Sequence, residues 1–238
     1  MKKLFTVLAV LLVATALFAG VTVKAGGTFA FASLNTATDA DHDESMKLKS
    51  NGFGFGAGVQ YDLSDKLAVY GEFDMVFPKD ATFSEDGEEI KVSDYVAKMK
   101  EAIPFESTID YKINFFSVSA GVAYKLDFSA VKLAVGAGVT VNRSMLKIYG
   151  SIKDLEDSAM EIKQTLTNIG LNALVDAKYM VAEKVGVGVT LNPQLGLYNI
   201  TTEKYTNQQK PDDNSDETVK GFKVSFAMPI TVGVSYTF

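Results

Sequence analysis

Four stretches of the chain alternate between apolar positions and mostly small or polar ones, and each carries a tyrosine near its end. Phe53, Phe55, Ala57, Val59 and Tyr61 alternate with Gly52, Gly54, Gly56, Gly58 and Gln60. The stretches 116–124, 171–179 and 222–238 repeat the pattern, and their ends read AGVQYDL (57–63), AGVAYKL (120–126), VDAKYMV (175–181) and VGVSYTF (232–238). A period of two is the mark of a β-strand with two chemically different faces. The first three are each followed by a second alternating stretch, opening KLAVYGEF (66–73), KLAVGAGV (132–139) and KVGVGVTL (184–191). VTVKAGGTFAF (21–31) adds one more at the front. Eight antiparallel strands are predicted.

The connections sort by length. Short turns fall near 62–66, 125–130 and 182–184, and long ones fall at roughly 35–50, 78–110, 144–168 and 200–219. Charge sorts by face: the apolar faces carry none, whereas the other faces carry Lys24, Glu72, Asp74, Lys132, Asp176, Lys178 and Lys223. A charge facing lipid at the bilayer midplane costs about 2–4 kcal/mol. The predicted fold is therefore all-β: a transmembrane antiparallel up-and-down β-barrel of eight strands, with short periplasmic turns and long extracellular loops. Its apolar band covers about 10–12 residues per strand, enough to cross the hydrocarbon at a tilt. Tyr61, Tyr124, Tyr179 and Tyr236 close the outward face at the short-turn end, where a periplasmic aromatic belt is expected.

The N-terminus reads MKKLFTVLAVLLVATALFAG, two lysines followed by an uncharged run from Leu4 to Ala19. That is the layout of a secretory signal peptide (1–19), with cleavage after Ala16 or Ala19, leaving 20–238 as the barrel domain. Without Lys2 and Lys3 the balance is 21 basic to 29 acidic residues, so nucleic acid is not an expected partner. There is no cysteine, hence no disulfide and no thiolate chemistry.

The closing TVGVSYTF, with Thr231, Gly233, Tyr236 and Phe238, is similar to the C-terminal sorting signal of outer-membrane barrels. With the signal peptide and eight strands, the chain resembles small bacterial outer-membrane barrels of the OmpX, OmpW and OmpA-barrel type. The resemblance implies an outer-membrane location, contact with outer-membrane lipid, and handling by the barrel assembly machinery. It does not select a function.

Eight strands enclose an interior just wide enough to be filled by side chains. The seven inward charges are expected to form a lumen ion network, read either as a structural plug or as a gate in a narrow channel for small or hydrophobic solutes. Inward glycines make room for neighbours such as Tyr70 and Phe115, or for a cavity. Pro193 and Pro229 predict bulges or local openings in the last seam. Lys112, Arg143 and Lys147 at the upper rim are candidates for lipid phosphate. Apolar residues at helical spacing predict loop helices over 92–103 and 152–166. SEDGEE (84–89) suits a hairpin tip, and the loops offer contacts to an extracellular partner. The acidic stretches DADHDE (39–44) and PDDNSDE (211–217) are read as solvated loops rather than calcium sites, the first lacking the glycine and the distant glutamate of an EF-hand loop. His42 is the single histidine. No catalytic residue, metal site or cofactor is expected, and the function favoured is a non-enzymatic surface protein.

Overall fold

In hydrocarbon an unpartnered backbone N–H or C=O is costly, so strands cross a bilayer only as a sheet closed on itself. The computed structural model describes residues 20–36, 46–85, 88–102, 107–152, 159–207 and 214–238, and in it the sheet closes. In chain order the strands are β1 (Val21–Asn35), β2 (Lys47–Asp62), β3 (Leu67–Glu85), a short β4 (Glu88–Lys91), β5 (Ser107–Phe128), β6 (Val131–Ile152) and β7 (Met160–Met180). A seventh wall strand follows in two pieces, β8 (Val185–Leu191) and β9 (Gln194–Asn207), and β10 (Ser215–Thr237) is the eighth. Every pairing is antiparallel, and β10 returns to β1 from Thr22↔Thr237 up to Ser33↔Phe226. The predicted signal peptide, the acidic stretch 39–44 with His42, and residues 211–213 of the second acidic stretch lie outside the described residues.

The short turns fall at 63–66, 129–130 and 181–184, as the alternation predicts. The opposite end differs from expectation. Strands β5, β6, β7 and β10 run 21–23 residues, about twice the 9–11 that a membrane needs. Much of what was expected as loop is therefore wall, continuing beyond the bilayer on the extracellular side. The expected helix over 152–166 is among the losses: Met160 onward is β7, paired on both sides with β6 and β9. Leu166 is fully buried and Ile162 packs beside the core formed inside the wall. Residues four apart share a face of a strand as well as of a helix, so that spacing alone did not discriminate. The other helix exists: α1 (Val92–Ala102) directs Val92 and Val96 into the barrel mouth. Asp80 fixes its start, accepting from the Ser93 amide at 3.2 Å and from the Ser93 hydroxyl at 2.7 Å.

The prolines act differently from expectation. At Asn192–Pro193 the seventh strand breaks, yet the ladder resumes in the same register, from Ile230↔Leu191 to Ala227↔Gln194. The gap is bridged by Ala173 N–H donating to the Pro193 carbonyl at 2.9 Å and Asn192 N–H donating to that of Pro229 at 3.1 Å. The bulge lies three residues further on, where the register shifts between Gly196 and Tyr198. Below it even-numbered residues point inward; above it Asn199 and Thr201 do.

The outward face is apolar and exposed, with Val118, Val135, Val139 and Leu171 all more than 40% accessible. Val139 lies near the middle of this band. Val139→Lys is expected to destabilise the folded barrel by about 2–4 kcal/mol, and Val139→Leu to leave it nearly unchanged. Denaturant unfolding in lipid vesicles measures both.

Candidate functional site

The inward face divides into three levels. Nearest the short turns is an ion cluster. The Lys24 ammonium on β1 lies 2.7 Å from Glu72 Oε1 on β3 and 3.1 Å from Asp176 Oδ1 on β7, so it spans the lumen. It also donates to Thr190 Oγ1 at 2.9 Å. Lys178 lies 3.3 Å from Asp176 Oδ2. Asp74 takes hydroxyls instead: Thr28 at 3.2 Å, Thr231 at 3.0 Å and Ser117 at 3.3 Å all donate to it. Glu72, Asp74, Asp176 and Lys178 are all buried. The cavity beside the cluster measures ≈ 20 Å³, room for about one water.

Of the seven charges expected to share this network, five are close together and two are not. Lys132 keeps the inward phase but follows directly on the turn at 129–130, where the barrel opens to the periplasm. It is half exposed and its nearest acid is Asp127 at 3.9 Å. Lys223 sits higher on β10, beside the register shift, and forms no ion pair among the described residues. Alternation assigns a face but not a height, and height separates these two from the rest.

Above the ions runs a layer of amides and hydroxyls that the sequence reading missed. Asn172 donates to the Tyr70 hydroxyl at 2.9 Å and to Asn192 Oδ1 at 2.8 Å. Asn192 donates to Ser119 at 3.2 Å, and Gln194 donates to Ser117 and Ser119, each at 3.2 Å. Ser119 donates to Thr140 at 3.0 Å, so the layer joins β3, β5, β6, β7 and the seventh wall strand. The signal lay in the inward alternation Asn168, Asn172, Asn192, Gln194; uncharged amides draw less attention than ions. The third level, inside the extracellular wall, is apolar: Leu34, Leu48, Val76, Ile109, Ile113, Phe115, Leu146 and Leu166 pack together, and Val92 and Val96 close them off.

The inward glycines serve filling rather than space. A Cβ on Gly56 would come within 2.5 Å of Thr28 Oγ1 and 2.6 Å of Asp74 Oδ1. One on Gly121 would stand 2.7 Å from the Tyr70 hydroxyl. The ion cluster and the Tyr70 ring occupy the room these glycines leave.

On the outer face, Tyr61, Tyr124, Tyr179 and Tyr236 are all exposed at the short-turn end. Thr231 faces the lumen beside Asp74 and Gly233 lines the cavity there, while Tyr236 and Phe238 pack edge to face with centroids 5.0 Å apart. Lys112 and Lys147 are direct cross-strand partners, and Arg143 lies on the same outward row of β6 as Lys147.

A closed ring with a charge-free lipid-facing band, a polar lumen and extended walls on one side defines an outer-membrane β-barrel. The family model described as outer membrane protein beta-barrel domain matches residues 5–238, and the chain belongs to that family. Among solved structures it is similar to a major outer membrane protein from Thermus thermophilus, at 16% identity and a TM-score of 0.52, covering 91% of this chain and 99% of that one. It is also similar to the outer membrane protein OprG from Pseudomonas aeruginosa, at 14% identity and a TM-score of 0.51, covering 92% and 96%. No curated protein matches the chain in sequence. The family places the protein in the outer membrane.

Among the described residues, Lys24 is the one cation touching two carboxylates across the lumen. Lys24→Met leaves Glu72 facing Asp176 without it, and is expected to cost about 3–5 kcal/mol of unfolding free energy. A Lys24→Met, Glu72→Gln pair is expected to recover part of that loss. Thermal and denaturant unfolding of the three proteins checks this.

Proposed function

We infer that the protein is a sealed, non-enzymatic barrel that carries a contact surface outside the cell. The observation that carries this reading is the filled lumen: an ion cluster, an amide layer and an apolar core lie one above another. Solutes meet side chains at every level, and α1 packs Val92 and Val96 into the outermost one. The carboxylates inside are engaged by lysines and hydroxyls, an arrangement suited to rigidity rather than proton transfer. The described residues hold no group of three or more histidine, cysteine or acidic side chains placed for a metal.

The extracellular wall supports the second half of the reading. Long strands lift the β3–β4 hairpin and α1 away from the bilayer, and Ile90 and Tyr95 stand exposed there at 40% and 43%. Exposed aromatic and aliphatic side chains on a rigid element are suited to docking a partner.

Recording in planar bilayers tests the seal. Purified protein is expected to give no stable conductance steps, and a reproducible unit conductance would favour a narrow channel instead. Adhesion of cells displaying the protein to surfaces coated with extracellular matrix tests the contact surface. An Ile90→Ser, Tyr95→Ser variant is expected to adhere less at equal display; equal adhesion would count against this face.

A further inference from the structure

Arg143 is the chain's only arginine, and it faces outward from β6 one row above the apolar band. The row beneath it is Val118, Val141 and Ile169, all exposed to lipid. Its cross-strand partners are Phe116 and Thr167, neither of them acidic. The guanidinium carbon sits 6.0 Å from the centre of the Phe116 ring. Nε is buried without a hydrogen-bond partner, and Arg143 forms no ion pair among the described residues. Asn114, one row above Phe116, also holds a buried side-chain oxygen with no partner.

Higher on the same wall, Lys112, Lys147 and Lys163 occupy one cross-strand row, each directly opposite the next. Like charges placed opposite one another destabilise a sheet. The acids above them are Asp110 and Glu161; Glu161 pairs with Lys147 at 2.7 Å, and Asp110 accepts from the Tyr149 hydroxyl at 3.5 Å and from the Tyr111 amide at 2.8 Å. On β5, β6 and β7 four cations therefore face two carboxylates, the lysine row continuing to Lys204 on β9, itself opposite Asp216 on β10, and the excess positive charge lies just above the lipid-facing band.

We propose that this face binds the phosphate of an anionic lipid in the outer leaflet, with Arg143 as the phosphate clamp and Lys112 and Lys147 covering the headgroup. The planar guanidinium donates to two phosphate oxygens at once, a geometry that lysine does not offer. Phe116 beside it and Val141 beneath it meet the acyl chains, so charge and apolar surface follow each other in the order of a lipid molecule. Lys147 stands four residues above Arg143, about 13 Å along the strand. The Lys147 ammonium is turned upward, toward Glu161 and the Tyr149 ring, so its stem lies along the wall and its charge stands in the headgroup layer above the guanidinium. The inference depends on the placement of the barrel in the membrane and not on whether the lumen conducts.

Native mass spectrometry of the detergent-purified protein, titrated with phosphatidylglycerol or phosphatidylcholine, tests it. The wild type is expected to retain phosphatidylglycerol preferentially. Arg143→Gln is expected to weaken that retention about tenfold, Arg143→Lys to recover part of it, and Lys112→Gln with Lys147→Gln to weaken it less. Lys66→Gln, at a periplasmic turn, serves as the charge control, and heat-modifiable gel mobility confirms that each variant is folded. Equal retention by the wild type and Arg143→Gln, or equal loss from Lys66→Gln, would overturn the proposal. Displacement of the lipid by millimolar inorganic phosphate would overturn the lipid assignment in favour of a soluble anion.

Discussion

Hydrogen-bond closure of the backbone around the ring governs this molecule. Within hydrocarbon no water can satisfy a free N–H or C=O, so β1 must find β10 and every strand must have two neighbours. Once the ring is closed, side chains have only two destinations, and the period of two sends each to lipid or to lumen. The exterior must then be free of charge, and polar groups left over must be accommodated inside. Eight strands leave too little room for bulk water there. Inward side chains must accordingly satisfy one another.

The groups that pair do so by level. Near the periplasm two lysines and three carboxylates are interleaved with threonine and serine hydroxyls, so each carboxylate has a cationic or hydroxylic partner. At mid-height the amides of Asn172, Asn192 and Gln194 reach across to Tyr70 and the serines of β5. Beyond the bilayer the wall has water outside it, and its interior becomes an ordinary apolar core closed by α1. The change of interior chemistry follows the change of exterior solvent. A buried ion cluster of this kind is weak evidence for stability but fixes which strands face which across the lumen.

The strands inside the membrane were legible in the sequence because two opposite solvents act on alternate residues. Phe53 through Tyr61 and Leu171 through Tyr179 could be assigned to faces without coordinates. Outside the bilayer that contrast disappears. The continuation of β7 above Leu166 therefore resembled a helix, its Ile162 and Leu166 being equally spaced for either element. The bulge at Leu197 carries no local signal beyond the nearby proline, yet it reverses the phase of Asn199 and Thr201. Of the lumen charges, face was readable and height was not, so Lys132 and Lys223 were grouped with residues that they do not reach. The phosphate candidates Lys112, Arg143 and Lys147 could be read as outward, whereas the lack of an acidic partner for Arg143 is a property of three strands together. The glycines left open whether they surround a void or a side chain; Tyr70 and Asp74 supply the answer only in three dimensions.

The β1–β10 seam joins Val23 to Tyr236 and Gly26 to Gly233, positions separated by nearly the whole described chain. Any partly assembled arc of strands therefore presents two raw borders at once, and neither can be healed by its immediate sequence neighbour. Insertion piece by piece into the bilayer would strand those borders in oil, so the cylinder must be sealed in a single late event. The polypeptide has to be kept sheltered from both lipid and other copies of itself until its final strand arrives.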